Sequence, residues 1–427
     1  MSHVTIKSAY KNLVDRINRF PQGAPPSELL YKILQLLFSE KEAEFVSLLP
    51  IKPFTVETAA RSTKKSLVET QKLLDELSSK GILMDVEMNG KSEYTLPPPM
   101  AGFFEFSMMR IRNDIDQKVL AELFYQYLNV EEDFIKQLFT NGETQLGRVF
   151  VNENAVSESN KLEVLDYEKA TEVIQTASHR AVGVCYCRHK MEHLGKACDA
   201  PMDICMTFND AAESLSKHKI ARAIDVKEGM DLLQLAYEKN LVQFGENVKR
   251  GVSFICNCCG CCCEAMLAAK RFGMLHPVHT TNYLPEIKIE NCTGCGKCVE
   301  ICPVEAMTLV SANDPVKKKK KRAKLNEEIC LGCGLCVKAC TENGVKLIER
   351  KQRVITPLNG VHKAVMMAIE RGKFQNLIFD NHALWNHRAM AAILGVVLKL
   401  PPIKQALASK QIKSRYFEYL LSKSPSN

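Results

Sequence analysis

From Ser27 onward the apolar positions recur with a helical period: ELLYKILQLLF reads as one helix, shorter helices follow, and SLVETQKLLDELSSKG, between about Lys65 and Lys80, places Leu67, Leu74 and Leu77 near one face. The period then changes to two short alternating runs, ILMDVEMN and GKSEYTLPPP, joined at Asn89-Gly90, a dipeptide suited to a tight hairpin turn at positive φ. Helical spacing returns over residues 101–180. There QKVLAELFYQYLNVEEDFIKQLF is amphipathic, and its aromatic stripe of Phe124, Tyr127, Phe134 and Phe139 is expected in a core or in a seam between domains. Beyond residue 180 the strand-like runs AVGVCYC and VSFICNC alternate with helical segments. These are DVKEGMDLLQLAYEKNLV, opened by a capping Asp225, and EAMLAAKRF. Val182 to Tyr186 reads as a short strand feeding a loop, and from about Thr356 the chain is again helical and basic.

That pattern describes globular domains, and 427 residues suffice for two to four of them with real cores; 46% hydrophobic and 25% charged residues fit the same class. No stretch reads as membrane-spanning. The first residues lack an apolar signal region, and the run Ala389 to Leu398 is too short before Lys399 interrupts it, so a cytoplasmic location is expected. Eighteen cysteines change the picture. In a reducing compartment they point to metal-binding thiolates rather than disulfides.

Eight of them fall in two matched runs, NCTGCGKCVEICP from Asn291 and ICLGCGLCVKAC from Ile329, each spaced C-x2-C-x2-C-x3-C. The offset is 38 residues throughout: Cys292 matches Cys330, Cys295 matches Cys333, Cys298 matches Cys336 and Cys302 matches Cys340, and apolar positions such as Leu309 and Leu347 follow suit. Over about residues 285–350 the chain resembles the bacterial two-cluster 4Fe-4S ferredoxins, in which the fourth cysteine of each run serves the other cluster. The resemblance implies Cys292, Cys295, Cys298 and Cys340 for one 4Fe-4S cluster and Cys302, Cys330, Cys333 and Cys336 for the other. It also implies that Gly294, Gly296, Gly332 and Gly334 let the backbone turn tightly against the sulfides. Pro303 fits the family's C-P ending, whereas Thr341 does not, and the basic run VKKKKKRAK separates the two halves. Two structural zinc sites are the alternative chemistry for C-x2-C spacings.

The other ten cysteines form two groups. Cys185, Cys187, Cys198 and Cys205 are spaced C-x-C-x10-C-x6-C, with Arg188 and Lys190 placed to offset thiolate charge and His189 and His193 as possible further ligands. Six more crowd into FICNCCGCCCEAM: Cys256, Cys258, Cys259, Cys261, Cys262 and Cys263. Neighbouring residues of a strand or helix diverge, so one ion cannot collect all six. Three outcomes stay open: a third iron-sulfur cluster or zinc site shared with the first group, a multi-iron site with an open position, or a redox-active thiol pair. The helix expected after Cys263 would lend its positive end to nearby thiolates. The paired cysteines also resemble the CCG motifs of heterodisulfide-reductase-like subunits, with different spacing.

Helices followed by a hairpin over residues 27–98 resemble a winged helix-turn-helix domain, with Thr55, Ala59, Ala60 and Thr63 in the first helix and turn and Ser66 to Ser79 as the recognition-like helix. Between Thr55 and Ile82, five basic side chains face four acidic ones, a faint footprint for a reader of DNA phosphates. The net charge of +8 is explained by the lysine-rich stretch near Lys317 to Lys324, which can steer an acidic redox partner. No G-x-G-x-x-G follows a strand, which argues against a built-in nicotinamide or flavin site. The expected fold is α+β and multidomain: a winged-helix-like domain (27–98), a helical connector (101–180), an α/β cysteine-rich middle domain (181–284), a dicluster ferredoxin module (285–350) and a helical C-terminal segment (356–427). The expected function is iron-sulfur electron transfer with a redox partner protein. A redox-responsive transcription regulator, or an oxidoreductase subunit with substrate at Cys256 to Cys263, are the alternatives.

Overall fold

The computed structural model describes residues 2–88, 90–156, 164–313 and 320–398, with side chains from residue 9 onward. Five helices open the chain: Ser2–Arg19, Glu28–Leu37, Glu40–Ser47, Val56–Thr63 and Leu67–Ser79. Serines at three of the starts explain where these helices begin. Ser27 and Ser66 accept from the amides of Leu30 and Glu69, and Ser39 forms a reciprocal capping box with Glu42. The hairpin of β1 (Met84–Met88) and β2 (Lys91–Thr95) closes in the register Met88↔Lys91, with Gly90 at φ 72°; Asn89 lies outside the described residues. Leu74 and Leu77 are fully buried as the periodicity implies, but Leu67 is 54% exposed. The buried face instead runs through Thr70, Leu74, Leu77 and Ser78, and Leu67 sits in the first turn, beyond the edge of the core.

The middle of the chain folds around one six-stranded sheet: β3 (Gly147–Val149), β4 (Arg180–Val184), β5 (Asp203–Phe208), β6 (Arg222–Ala223), β7 (Val242–Glu246) and β8 (Phe254–Cys258), in the order β3-β7-β8-β5-β4-β6. Every pairing in it is antiparallel. The α/β expectation for this part is therefore corrected to α+β, because neighbouring strands reverse direction instead of being joined by parallel crossovers. Strand β3 also lies within the segment read as a helical connector. It pairs with β7 because Gly147 leaves room for the Phe244 ring, whose Cζ would stand 2.1 Å from any Cβ there. After β4 there is no loop: Cys185 caps a helix, Tyr186–His193. Phe124, Tyr127, Phe134 and Phe139 are all buried; Tyr127 stacks on Phe134, and Phe124 meets the edge of Tyr186 at 5.6 Å, which ties the helical segment to the first turn after Cys185.

Two β-helix-β units follow. The first contains β9 (Tyr283–Ile287), the helix Lys297–Glu300 and β10 (Met307–Ser311); the second contains β11 (Lys321–Leu325), the helix Leu335–Ala339 and β12 (Val345–Glu349). The 38-residue offset of the cysteines holds strand for strand. Pairing, however, is crosswise, β9 with β12 and β10 with β11, so the end of each unit lies against the start of the other. One continuous apolar core runs from Ala9 through Phe124, Tyr186 and Met266 to Leu335. The C-terminal helices Gly360–Glu370, Phe374–Ile378 and Trp385–Leu398 are fixed back onto it by a Lys363–Glu246 ion pair and by Arg371 donating to the carbonyls of Pro21 and Leu138. The remainder of the expected C-terminal segment, 399–427, lies outside the described residues. No helix among the described residues is long and apolar enough to cross a membrane.

Candidate metal centres

The crosswise pairing decides which thiols meet. Cys302 lines the same cavity as Cys330, Cys333 and Cys336, together with Pro303, Leu325 and Leu331. The charges acting on Cys298 come from Cys292, Cys295 and Cys340. The first group faces inward: burial pushes the Cys330 thiol up to about 11 and Cys333 up to about 12. The second faces outward, with Cys295 exposed. Backbone amides donate to the sulfurs at matching places, Ala306 to Cys302 and Gly344 to Cys340 at 3.2 Å each, and Ala323 to Cys292 at 3.4 Å. Such bonds favour an electron-rich sulfur.

Gly294, Gly296, Gly332 and Gly334 all have positive φ, between 69° and 88°, as four tight turns require. Two of them, Gly294 and Gly332, permit close approach to backbone, whereas Gly334 faces the Ala155 side chain. A Cβ on Gly294 would stand 2.2 Å from the Lys321 carbonyl oxygen, and one on Gly332 would stand 2.2 Å from that of Tyr283. Gly294 and Gly332 therefore seat the cysteine loops on β11 and β9.

The other ten cysteines gather at one end of the six-stranded sheet, where β4 ends, β5 begins and β8 ends. Cys185 and Cys263 are N-caps of the helices Tyr186–His193 and Glu264–Phe272; Cys205 lies on β5, opposite Gly183, and Cys256 and Cys258 share one face of β8. Six thiols are neighbours in a closed ring, each acting on the two beside it, in the order Cys185, Cys187, Cys263, Cys258, Cys256, Cys205 and back to Cys185. Within it the Cys263 and Cys258 sulfurs are 3.1 Å apart. The remaining four, Cys198, Cys259, Cys261 and Cys262, have all their sulfurs within 4.8 Å of one another. The two sequence groups thus exchange members: Cys198 leaves the first to join three thiols of the second.

Neighbouring thiols draw Cys185 below the ordinary thiol value and bring Cys256 down to about 5 and Cys263 to about 6, while Cys187, Cys205 and Cys258 are pushed up. Arg188 is the compensating cation. Burial opposes its charge, yet Cys185, Cys259, Cys205 and Cys258 together raise its pKa, and it holds the Pro201 and Asn257 carbonyls at 2.8 and 2.7 Å. Its Nε and the Tyr186 hydroxyl are buried without a hydrogen-bond partner among the described residues. Two orphaned donors beside a thiol ring fit a group that brings acceptors, as an anionic sulfide cluster does.

Lys190 has a different task from the one its sequence position implies: its Nζ is held by Glu264 and by Asn129 Oδ1. His189 donates from Nδ1 to the Met108 carbonyl, 2.7 Å away, and meets His193 at 3.2 Å; neither imidazole belongs to the four-thiol group. Glu105 had no signal in the sequence. Burial raises its carboxyl to about 8 against hydrogen bonds from the Gly102 and Ala101 amides, and the charge of Cys256 acts in the same direction as burial.

The ring, the four-thiol group and the inward ferredoxin thiols adjoin one another. Gly260, inside the turn that carries Cys259, Cys261 and Cys262, packs on the backbone of Pro303, where a Cβ would stand 2.8 Å from the carbonyl oxygen. On the far side, the basic strand β11 covers the outward thiols through the Ala323 amide on Cys292. No curated protein and no solved structure matches the chain. Residues 291–343 match the family described as the 4Fe-4S dicluster domain, so the chain contains a ferredoxin-type iron-sulfur domain.

Proposed function

We propose that this protein transfers single electrons through two 4Fe-4S clusters, held by Cys292, Cys295, Cys298 and Cys340 and by Cys302, Cys330, Cys333 and Cys336, between a redox partner protein and a further metal centre among the ten other cysteines. The observation that carries this reading is the seating of Cys302 with the three thiols of the opposite run around one cavity. A bound 4Fe-4S cluster supplies reversible one-electron chemistry at a potential set by charge, hydrogen bonding and exposure. The chain contributes the rest. The Ala306, Gly344 and Ala323 amides donate to thiolate sulfur, burial excludes water from the inward thiols, and Gly260 against Pro303 keeps the third group of thiols close.

The outward group is suited to a partner. Lys321 and Lys324 are exposed on the strand whose Ala323 amide holds Cys292, so an acidic protein drawn to this strand arrives beside the thiols; Lys317 to Lys319 lie outside the described residues. Residues 27–98 we read as winged-helix-like and as a packing domain rather than a DNA reader. Lys65, just before its last helix, pairs with Glu69, and Lys72 pairs with Glu76 on that helix, which reduces the positive charge it offers to phosphates. The test is anaerobic purification followed by iron and acid-labile sulfide analysis and EPR of the reduced protein. Zinc without sulfide would overturn the reading.

A further inference from the structure

We propose that the ten upstream cysteines form two centres of unlike nuclearity: Cys198, Cys259, Cys261 and Cys262 bind one tetrahedral metal ion, and the ring of Cys185, Cys187, Cys205, Cys256, Cys258 and Cys263 binds a polynuclear iron-sulfur centre. The ring half rests on the iron-sulfur reading above; the four-thiol half does not.

Distance separates the two. An ion that holds four thiolates at about 2.3 Å places them on tetrahedral edges of about 3.8 Å. In the four-thiol group Cys261 and Cys262 are 3.7 Å apart and Cys262 and Cys198 3.9 Å, and no pair exceeds 4.8 Å. A cube holds its thiolates on four different irons and spreads them further. The ferredoxin quartets supply the comparison within this molecule: no other set of three or more cysteine, histidine or acidic groups among the described residues is as compact. Four sulfurs, joined by no imidazole or carboxylate among the described residues, make a closed site with no position left for substrate. Its ligand is zinc or a single iron, ions that share this geometry.

The ring cannot be a second site of that kind. Thiolate-bound zinc or iron takes four sulfurs, which would leave two of the six thiols without a metal. Six thiols therefore call for several metals bridged by sulfide or thiolate. The surroundings agree, since two helix N-termini begin at Cys185 and Cys263, Arg188 supplies a buried cation, and the partnerless Arg188 Nε and Tyr186 hydroxyl point to additional acceptors. Arg188 donates at 2.7 Å to the carbonyl of Asn257, the residue between Cys256 and Cys258, so its positive charge lies beside the ring.

The test compares the full chain, purified anaerobically, with Cys198→Ser/Cys261→Ser and with Cys185→Ser/Cys205→Ser, measuring zinc, iron and acid-labile sulfide per chain. The first variant is expected to lose one metal ion and no sulfide. The second should lose two or more irons with their sulfide and keep that ion. Loss of several irons and sulfide from the first variant, or loss of the single sulfide-free ion from the second variant as well, overturns the proposal. Retention of the reduced ferredoxin-type EPR signal shows that a variant has folded. Should either variant fail to fold, X-ray absorption on the unaltered chain decides: a zinc or iron ion with four sulfur neighbours at about 2.3 Å and no metal neighbour is expected, and its absence overturns the assignment. If the EPR signal is missing from the unaltered chain, the two-cluster function fails, while the count at the four-thiol site can still be read.

Discussion

Replacing Lys190 by methionine is expected to cost about 3–5 kcal/mol, because it leaves the Glu264 carboxylate buried without its cation. The side chains of Lys190 and Glu264 are 0% and 4% exposed, so water cannot replace the lost partner. Asn129 completes the group: its amide donates to Glu264 Oε2 at 2.8 Å while its oxygen accepts from Lys190 at 2.8 Å. These bonds tie the helix that begins at Cys185 to the helix that begins at Cys263. The pair therefore sets the spacing of two ring thiols as well as stability. The companion Lys190→Met/Glu264→Leu has no buried charge and loses mainly the Asn129 hydrogen bonds, worth about 1–3 kcal/mol. Anaerobic urea unfolding, followed by circular dichroism for the two single variants and the double, gives the coupling energy. Iron per chain in the same samples reports on the ring. A loss below about 1 kcal/mol for Lys190→Met, or a double variant no more stable than that single one, would refute the reasoning.

Cys302→Ser should alter the EPR signal of the inward cluster and spare the outward one, and Cys340→Ser should do the reverse; the opposite assignment would mean that each run binds its own cluster. Asp85 joins the N-terminal hairpin to the helix Asn209–Lys217. Burial opposes its charge, but hydrogen bonds from His218, Lys217 and Ser214 hold its carboxyl well below the usual range. Its stabilisation is thus complete above the unfolded value of about 3.9 and is lost as pH falls below it. Asp85→Asn should lower stability near neutral pH by about 1–3 kcal/mol and flatten the acid limb of the unfolding curve; an unchanged limb would show that the contact does not bear on folding. Lys321→Glu/Lys324→Glu should slow reduction by an acidic redox protein and weaken the salt dependence of the rate, measured by stopped flow. Equal rates across ionic strength would place the docking surface elsewhere.

The sequence alone determined what is local and repeated. A 38-residue offset between two cysteine runs implied two equivalent units because ligand spacing and helical or strand period are properties of short stretches, and Asp225 and Asn89-Gly90 marked a helix start and a turn for the same reason. Period also identified the aromatic stripe as buried. It could not place Leu67, whose exposure depends on where the surrounding core ends, nor reveal that the middle sheet is antiparallel and borrows β3 from the preceding segment, since strand direction is set by distant partners. The ten upstream cysteines show the difference most clearly. Their order in the chain suggests a group of four and a group of six, and the fold returns a four and a six with different members, because Cys198 is carried by the loop after the helix Tyr186–His193 to the turn at Cys259 to Cys262. Sulfurs more than fifty residues apart along the chain meet only once three strands end at the same edge of the sheet, and that coincidence belongs to the tertiary structure.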